Sequence, residues 1–336
     1  MTEWLNLPDE ERLITIQQAS VRSGIANKVI EKDWWVTLVL KAVFNSEFAP
    51  YLSFKGGTSL SKCWHLIERF SEDIDLSIDR NFLGFGEDLS KSSVKKLKKA
   101  ACIFTSTDLK TALEKGLTDL GIPTGLLSVT ADPVPHNFPD KDPQTLWISY
   151  PSLLDTVDYI ADTVKLEVGA RSLNEQAADC PVTSILGEYM PGFPWSGVSF
   201  TVHVVEPKRT FLEKAFLLHE EFLRPVDKIV FNRMSRHLYD LERMMDTAHA
   251  ETALADFAYY RSIVEHRRNF IFKTGVDYDT HYPETISFLP PDAILQAYEQ
   301  DYAKMREQMI YGEDIPGFDD LLYRLTKLQE RFRKIK

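Results

Sequence analysis

At 336 residues with 44% apolar side chains, the chain can hold about two or three domains and has the composition of an ordinary soluble globular protein. No run approaches the roughly 18 uninterrupted apolar residues of a membrane helix, and the opening MTEWLNLPDEERL is too acidic and polar to read as a signal peptide. A formal net charge of −11 argues against a general nucleic-acid coat, and three cysteines without a C-x-x-C argue against a disulfide framework and for a reducing, cytoplasmic setting.

In chain order, residues 9 to 47 predict two helices, with Gly24 as the stop of the first and Trp34, Trp35, Leu38, Leu40 and Val43 on the second. YLSFKGG predicts a short strand ending in a turn. TSLSKCWHLIERF predicts a short amphipathic helix with Leu60, Trp64 and Ile67 on one side, and DIDLSID alternates as a strand. A polar helical insert runs over 88 to 121 and carries KKLKK at 95 to 99. Strand-like runs follow in LLSVTAD, TLWISYP, TVKLEVGAR and GVSFTVHVVEP, with a long irregular stretch expected at 172 to 196. From TFLEKAFLLHEEFLRP onward the pattern is helical. The expected fold class is α+β, with a domain at 1 to 208 and a helical domain at 209 to 336.

The chemistry concentrates in KGGTSLSKCWHLIERFSEDIDL. Side chains two apart on a strand face the same way, so Asp73 and Asp75 project together while Ile74 and Leu76 are buried. Two carboxylates on one face repel, and a hard divalent cation removes that repulsion. Two such ions, roughly 4 Å apart, would clamp the entering and leaving oxygens of a phosphoryl transfer. The side-chain-free Gly56–Gly57 turn lets a phosphate approach, and Thr58 and Ser59 open a helix whose start favours anions. Asp-x-Asp alone, or Gly-Gly alone, is a weak signal. Their succession through a short helix is far more specific. No G-x-x-x-x-G-K-[ST], H-E-x-x-H or G-x-S-x-G occurs, which argues against P-loop, zinc-hydrolase and serine-hydrolase chemistry.

These residues resemble the nucleotidyltransferase superfamily with a DNA polymerase β-like core. Within it, they resemble the AbiEii-type toxins of abortive-infection and toxin–antitoxin systems. VIEKDWWVTLVL (29 to 40), VKLEVGARS (164 to 172), RTFLEKAFLLHEE, RMSRHLYDL and DYAKMREQMIYGEDIPGFDDLL extend the similarity over most of the chain. The resemblance implies a mixed β-sheet core with N-terminal helices, and a C-terminal helical bundle that completes the nucleotide cleft. It implies an NTP substrate, Mg²⁺ or Mn²⁺ as cofactor, and release of pyrophosphate.

By position, the resemblance assigns Gly56, Gly57, Thr58 and Ser59 to the nucleotide phosphates and Asp73 and Asp75 to metal. Glu167 would be a third metal ligand or a base, or else a strand-face ion pair with Lys165. Lys214 would reach the triphosphate, or be a solvated lysine. Asp240 would orient Lys214 or bind base or ribose, and Arg233 and Arg236 would line the cleft. Arg69 and Ser71 would contact phosphate, or form a solvated pair. His237 stands where many relatives carry an acid, which leaves that position without an assigned role.

The acceptor implied is an RNA such as the 3′ end of tRNA, giving growth inhibition or phage defence. The restraining partner would be a winged-helix antitoxin that need not form a stable complex, and no membrane is involved. KKLKK, EHRR with Lys273, and RFRKIK are the candidate RNA-binding runs. Two other functions remain open: nucleotidyl transfer to a small molecule such as an aminoglycoside, and a non-catalytic nucleotide- or RNA-binding module.

Overall fold

The computed structural model describes residues 1–86, 89–134, 141–155, 160–170, 176–197, 199–273 and 275–335. Arg171 and Ser172 of VKLEVGARS, and Lys336 of RFRKIK, lie outside them. The chain divides into two compact units: residues 1–63 with 70–205, and residues 64–69 with 206–336.

The first unit is built on a mixed seven-stranded sheet. It comprises β1 (Leu52–Lys55), β2 (Asp73–Ile78), β3 (Ser128–Ala131), β4 (Gln144–Ser149), β5 (Thr163–Gly169), β6 (Ala177–Val182) and β7 (Phe200–Val205), in the order β3-β4-β5-β2-β1-β7-β6. The α+β expectation therefore holds. β2 is central: antiparallel to β1 with Lys55 opposite Asp75, and parallel to β5 with Asp73 opposite Lys165 and Asp75 opposite Glu167. On β2, Ile74 and Leu76 are buried while Asp73 and Asp75 are half-exposed, as strand alternation requires.

Helices α1 (Asp9–Ser23) and α2 (Asn27–Phe44) precede the sheet, and Gly24 ends α1 at φ +73°. Apolar and polar residues of α2 are buried together. Trp34 packs on Trp4 and edge-on to Trp35, and Trp35 stacks on Tyr150. Its charged residues are spoken for: Lys32 Nζ lies 2.7 Å from Glu72 Oε2, and Asp33 Oδ1 lies 2.6 Å from Lys62 Nζ.

Two expectations need correction. The helix foreseen over 58 to 70 is α3 (Gly56–Lys62) only. His65 takes a left-handed φ of +50°, which a helix cannot continue through, and Trp64–Arg69 belongs to the second unit. The stretch foreseen as irregular at 172 to 196 contains β6 and a short helix, α6 (Ile185–Tyr189). ADCPV disguises a strand because of its proline, which cannot donate to a ladder; as an outermost strand, β6 tolerates it. The polar insert folds as α4 (Lys91–Phe104) and α5 (Lys110–Asp119), as expected.

The second unit is helical: α7 (Pro207–Phe222), α8 (Ser235–Met244), α9 (Ala248–Ala255), α10 (Phe257–His266), α11 (Leu295–Gln308) and α12 (Phe318–Phe332). Leu212, Ala215, Phe216 and Leu218 of α7 are fully buried, as their spacing predicts. Among the described residues no helix is long and apolar enough to cross a membrane.

His219 of α7 is also buried. Its Nδ1 accepts from the Ser287 N–H at 3.1 Å and its Nε2 lies 2.9 Å from Thr280 Oγ1, so both ring nitrogens are used by the neutral form. Burial, with the neighbouring His281 adding to it, lowers His219 from 6.5 to about 4. Below pH 6.5 the unfolded chain therefore takes up a proton that the folded chain refuses, and stability is lost progressively down to about pH 4. Wild-type protein should lose about 2 kcal/mol more than His219→Gln between pH 7 and pH 5 in urea unfolding. Equal losses would contradict this.

Candidate active site

In the first unit the site is made where β1 ends, α3 begins and β2 runs back. Gly56 opens α3 with φ +81°, a conformation costing an L-residue roughly 1–2 kcal/mol. A Cβ placed there would lie 2.9 Å from Asp75 Cγ and 3.1 Å from Asp75 Cβ. Glycine is needed twice over: for the turn, and because the Asp75 side chain lies directly against its backbone. The carboxylate pair and the glycine bend are thus one feature.

Thr58 and Ser59 are buried. The Thr58 hydroxyl donates to the Asp73 carbonyl at 2.5 Å and the Ser59 hydroxyl to the Gly56 carbonyl at 2.9 Å, so both hydroxyls brace the turn against β2. Gly57 and Ser71 are half-exposed.

Lys165 and Glu167 share a face of β5. Lys165 Nζ donates to Glu167 Oε2 at 2.8 Å and lies 5.9 Å from the Trp147 ring centroid. Burial disfavours the ammonium, but the hydrogen bond and charge of Glu167, with Asp73 and Asp75 adding, hold Lys165 above the ordinary lysine value. The ion pair weighed in the sequence is present. Among the described residues no three His, Cys, Asp or Glu side chains converge as a metal cage. The donor set still fits Mg²⁺, which commonly takes one or two protein carboxylates and completes its shell with substrate phosphates and water. Asp73 and Asp75 offer such a pair, half-exposed and of hard oxygen.

Sequence reasoning missed the supports of this region. Lys32 fixes Glu72, next to Asp73, and Asp33 fixes Lys62, at the end of α3. The signal was available in VIEKDWWV, where three consecutive charges sit between apolar residues on both sides.

In the second unit Arg69, Lys214 and Asp240 form a buried cluster. Asp240 is fully buried and receives Arg69 Nε at 2.6 Å, Arg69 Nη2 at 2.7 Å and Lys214 Nζ at 2.6 Å. Burial alone would raise the Asp240 carboxyl, but Arg69 and Lys214 hold it well below the usual carboxylate range. Lys214 is pushed below the ordinary lysine value by burial, and Arg69 adds to this against the pull of Asp240. Neither Lys214 nor Arg69 is a solvated charge. His237, with Nδ1 3.5 Å from Lys214 Nζ, is held neutral by burial and by the nearby cations.

Arg233 and Arg236 are half-exposed, and Arg233 has a left-handed φ of +61°. That backbone is pinned by Asp301 of α11, which accepts from the Arg233 N–H at 2.7 Å, the Ser235 N–H at 2.9 Å and the Ser235 hydroxyl at 2.5 Å. Asp301 too went unnoticed in the sequence, because an aspartate in an amphipathic helix carries no distinguishing pattern.

Two outcomes follow from this geometry. Gly56→Ala should cost at least about 1–2 kcal/mol in denaturant unfolding, through φ and the collision with Asp75; an unchanged midpoint would contradict the contact. Asp240→Asn, which leaves two buried cations without their carboxylate, should cost about 3–5 kcal/mol. Lys214→Met keeps the Arg69–Asp240 pair and should cost clearly less, and equal losses would contradict the cluster as described.

Residues 38–324 match the family model described as "Nucleotidyl transferase AbiEii toxin, Type IV TA system". No curated protein sequence matches the chain. Among solved structures, the nucleotidyltransferase toxin MenT4 of Mycobacterium tuberculosis is similar at 16% identity and a TM-score of 0.43, covering 98% of this chain and 99% of its own. The Helicobacter pylori protein JHP933 is similar at 12% identity and a TM-score of 0.43, covering 92% of this chain and 94% of its own. With most of its length matched, the chain belongs to the AbiEii family of type IV toxins and is a nucleotidyltransferase, a class that implies an NTP substrate and a paired antitoxin.

Proposed function

We propose that this enzyme transfers a nucleotidyl group from an NTP to an RNA hydroxyl such as the 3′ end of tRNA, and so inhibits growth or defends against phage. The observation that carries this reading is the contact of Asp75 with the Gly56 backbone, beside Asp73 on the same strand face. Mg²⁺ or Mn²⁺, held by Asp73 and Asp75, would neutralise charge on the triphosphate.

The chain's own residues supply the rest. Gly56 and Gly57 leave the bend without side chains, so phosphate oxygens approach the backbone. Gly57 and Thr58 contribute N–H groups at the start of α3, while the Thr58 and Ser59 hydroxyls are engaged in the turn. Ser71 adds a half-exposed hydroxyl close to the Asp pair. Lys214 is assigned to the triphosphate and Asp240 to holding Lys214 in place, an arrangement favoured by their 2.6 Å pairing. Arg69 acts through Asp240, and Arg233 and Arg236 bind nucleotide. The acceptor oxygen bonds to the α-phosphorus, the bond to pyrophosphate breaks, and the hydroxyl proton passes to a carboxylate, for which Glu167 is the candidate. We assign restraint to a winged-helix antitoxin that need not form a stable complex, and the setting to the cytoplasm.

Purified protein incubated with each α-labelled NTP, Mg²⁺ and total cellular RNA should label RNA of tRNA size, and Asp73→Ala should label none. Lys214→Met should raise the KM for NTP. Label on Asp73→Ala equal to wild type would contradict the site. Absence of label on RNA in every lane would contradict the acceptor.

A further inference from the structure

An enzyme with a net charge of −11 that acts on a polyanion needs a local surface of opposite sign. Three basic runs stand out in the sequence, and the structure separates them. In EHRR, Arg267 is buried against Glu220, Arg268 pairs with Asp279, and the nearby Lys273 also pairs with Glu220. In the C-terminal run, Arg331 pairs with Asp246, and Arg333 donates to the Pro283 and Ile286 carbonyls. Most cations in those two runs are therefore occupied within the fold.

Helix α4 is different. KSSVKKLKKAACIF contains five lysines and no acidic residue. Val94, Leu97, Ala101 and Phe104 are buried, while Lys95, Lys96 and Lys99 are exposed. Among the described residues, these three make no ion pair. The placement also works against the helix itself. Only Lys91 stands in its first turn, where the macrodipole is unfavourable to a cation, and Lys95 and Lys99 repel at i,i+4. Other helices follow the opposite rule: α1 and α12 carry acids in the first turn and arginine in the last. Like charges gathered on one exposed side of a helix that has no acid of its own mark a surface shaped by something outside the fold.

We propose that the exposed lysine face of α4 is the docking surface for the phosphate backbone of the acceptor RNA, an inference that rests on RNA as the acceptor. The lysines rise along one side of the helix at about 1.5 Å per residue, so Lys95 and Lys99 stand about 6 Å apart along the axis and track successive backbone charges. The contact reads charge and not sequence, so it should hold RNAs alike and leave selection of the reacting end to the catalytic residues.

The test compares full-length wild type, K95Q/K96Q/K99Q and a control, K304Q/K327Q/K334Q, by fluorescence anisotropy with bulk tRNA over a range of salt. The α4 variant should bind about tenfold or more weakly at 150 mM salt, with the slope of log affinity against log salt shallower by about 2. Its thermal midpoint should be equal to or above wild type, since like-charge repulsion is removed, and the control should bind as wild type does. Unchanged affinity and slope in the α4 variant, an equal loss in the control, or wild type that binds no tRNA would overturn the proposal. So would a loss of binding to anionic vesicles with tRNA binding intact, which would assign the face to a lipid surface. Label transfer is scored separately. Labelled tRNA with an α4 variant equal to wild type removes this inference alone, and α4-dependent binding without label removes RNA as acceptor and with it the role of α4 in docking the acceptor, leaving α4 only as an RNA-binding face.

Discussion

Two carboxylates side by side on β2 carry a repulsion that their own strand does nothing to relieve, and the first unit is organised around keeping them there. The sheet register sets Asp73 beside Lys165 and Asp75 beside Glu167. The Asp75 side chain rests against a backbone position that admits no Cβ. The Thr58 hydroxyl ties the opening of α3 to the Asp73 carbonyl. Ion pairs from α2 fix the residues at either side, Lys62 and Glu72. Lys165 brings positive charge close to the carboxylates, its ammonium stabilised by Glu167 first and by Asp73 and Asp75 in addition. A divalent cation would compete with that lysine for the same negative field.

The second unit solves the same problem by burial. Asp240 is enclosed with two cations, and each charge depends on the others for its solvation. Such clusters are weak evidence of net stability, because desolvation offsets attraction, but breaking one is costly. Their value here is orientation: a lysine held by a fully buried carboxylate on α8 and bordered by a neutral His237 has few positions to choose from.

Much of this was legible in the sequence. The alternation of DIDLSID fixed which side chains share a face, the apolar spacing of TFLEKAFLLHEE marked the apolar residues that α7 buries, though its polar residues are buried as well, and the Gly-Gly step announced a backbone conformation closed to other residues. Composition was less informative wherever tertiary context decided. Pro181 hid a strand that exists because it is outermost. The run after Lys62 looked helical by period, yet His65 turns left-handed and sends the chain to the other unit. Long-range partners are not named by local pattern: IEKDWW signals buried charge without saying that Lys32 reaches Glu72, and nothing in the sequence reveals that Asp301 caps the Arg233 turn or that Arg69 is spent on Asp240 and not held in water.

The central claim is that Asp73 and Asp75, set against the glycine bend, gather a divalent cation together with a triphosphate. Mn²⁺ binding followed by electron paramagnetic resonance, with and without a non-hydrolysable NTP analogue, tests it directly in wild type and Asp75→Asn. Wild type should bind Mn²⁺ much more tightly when the analogue is present, and Asp75→Asn should lose that gain while remaining folded. Equal Mn²⁺ affinity in the two proteins, with the analogue bound to both, would contradict the account.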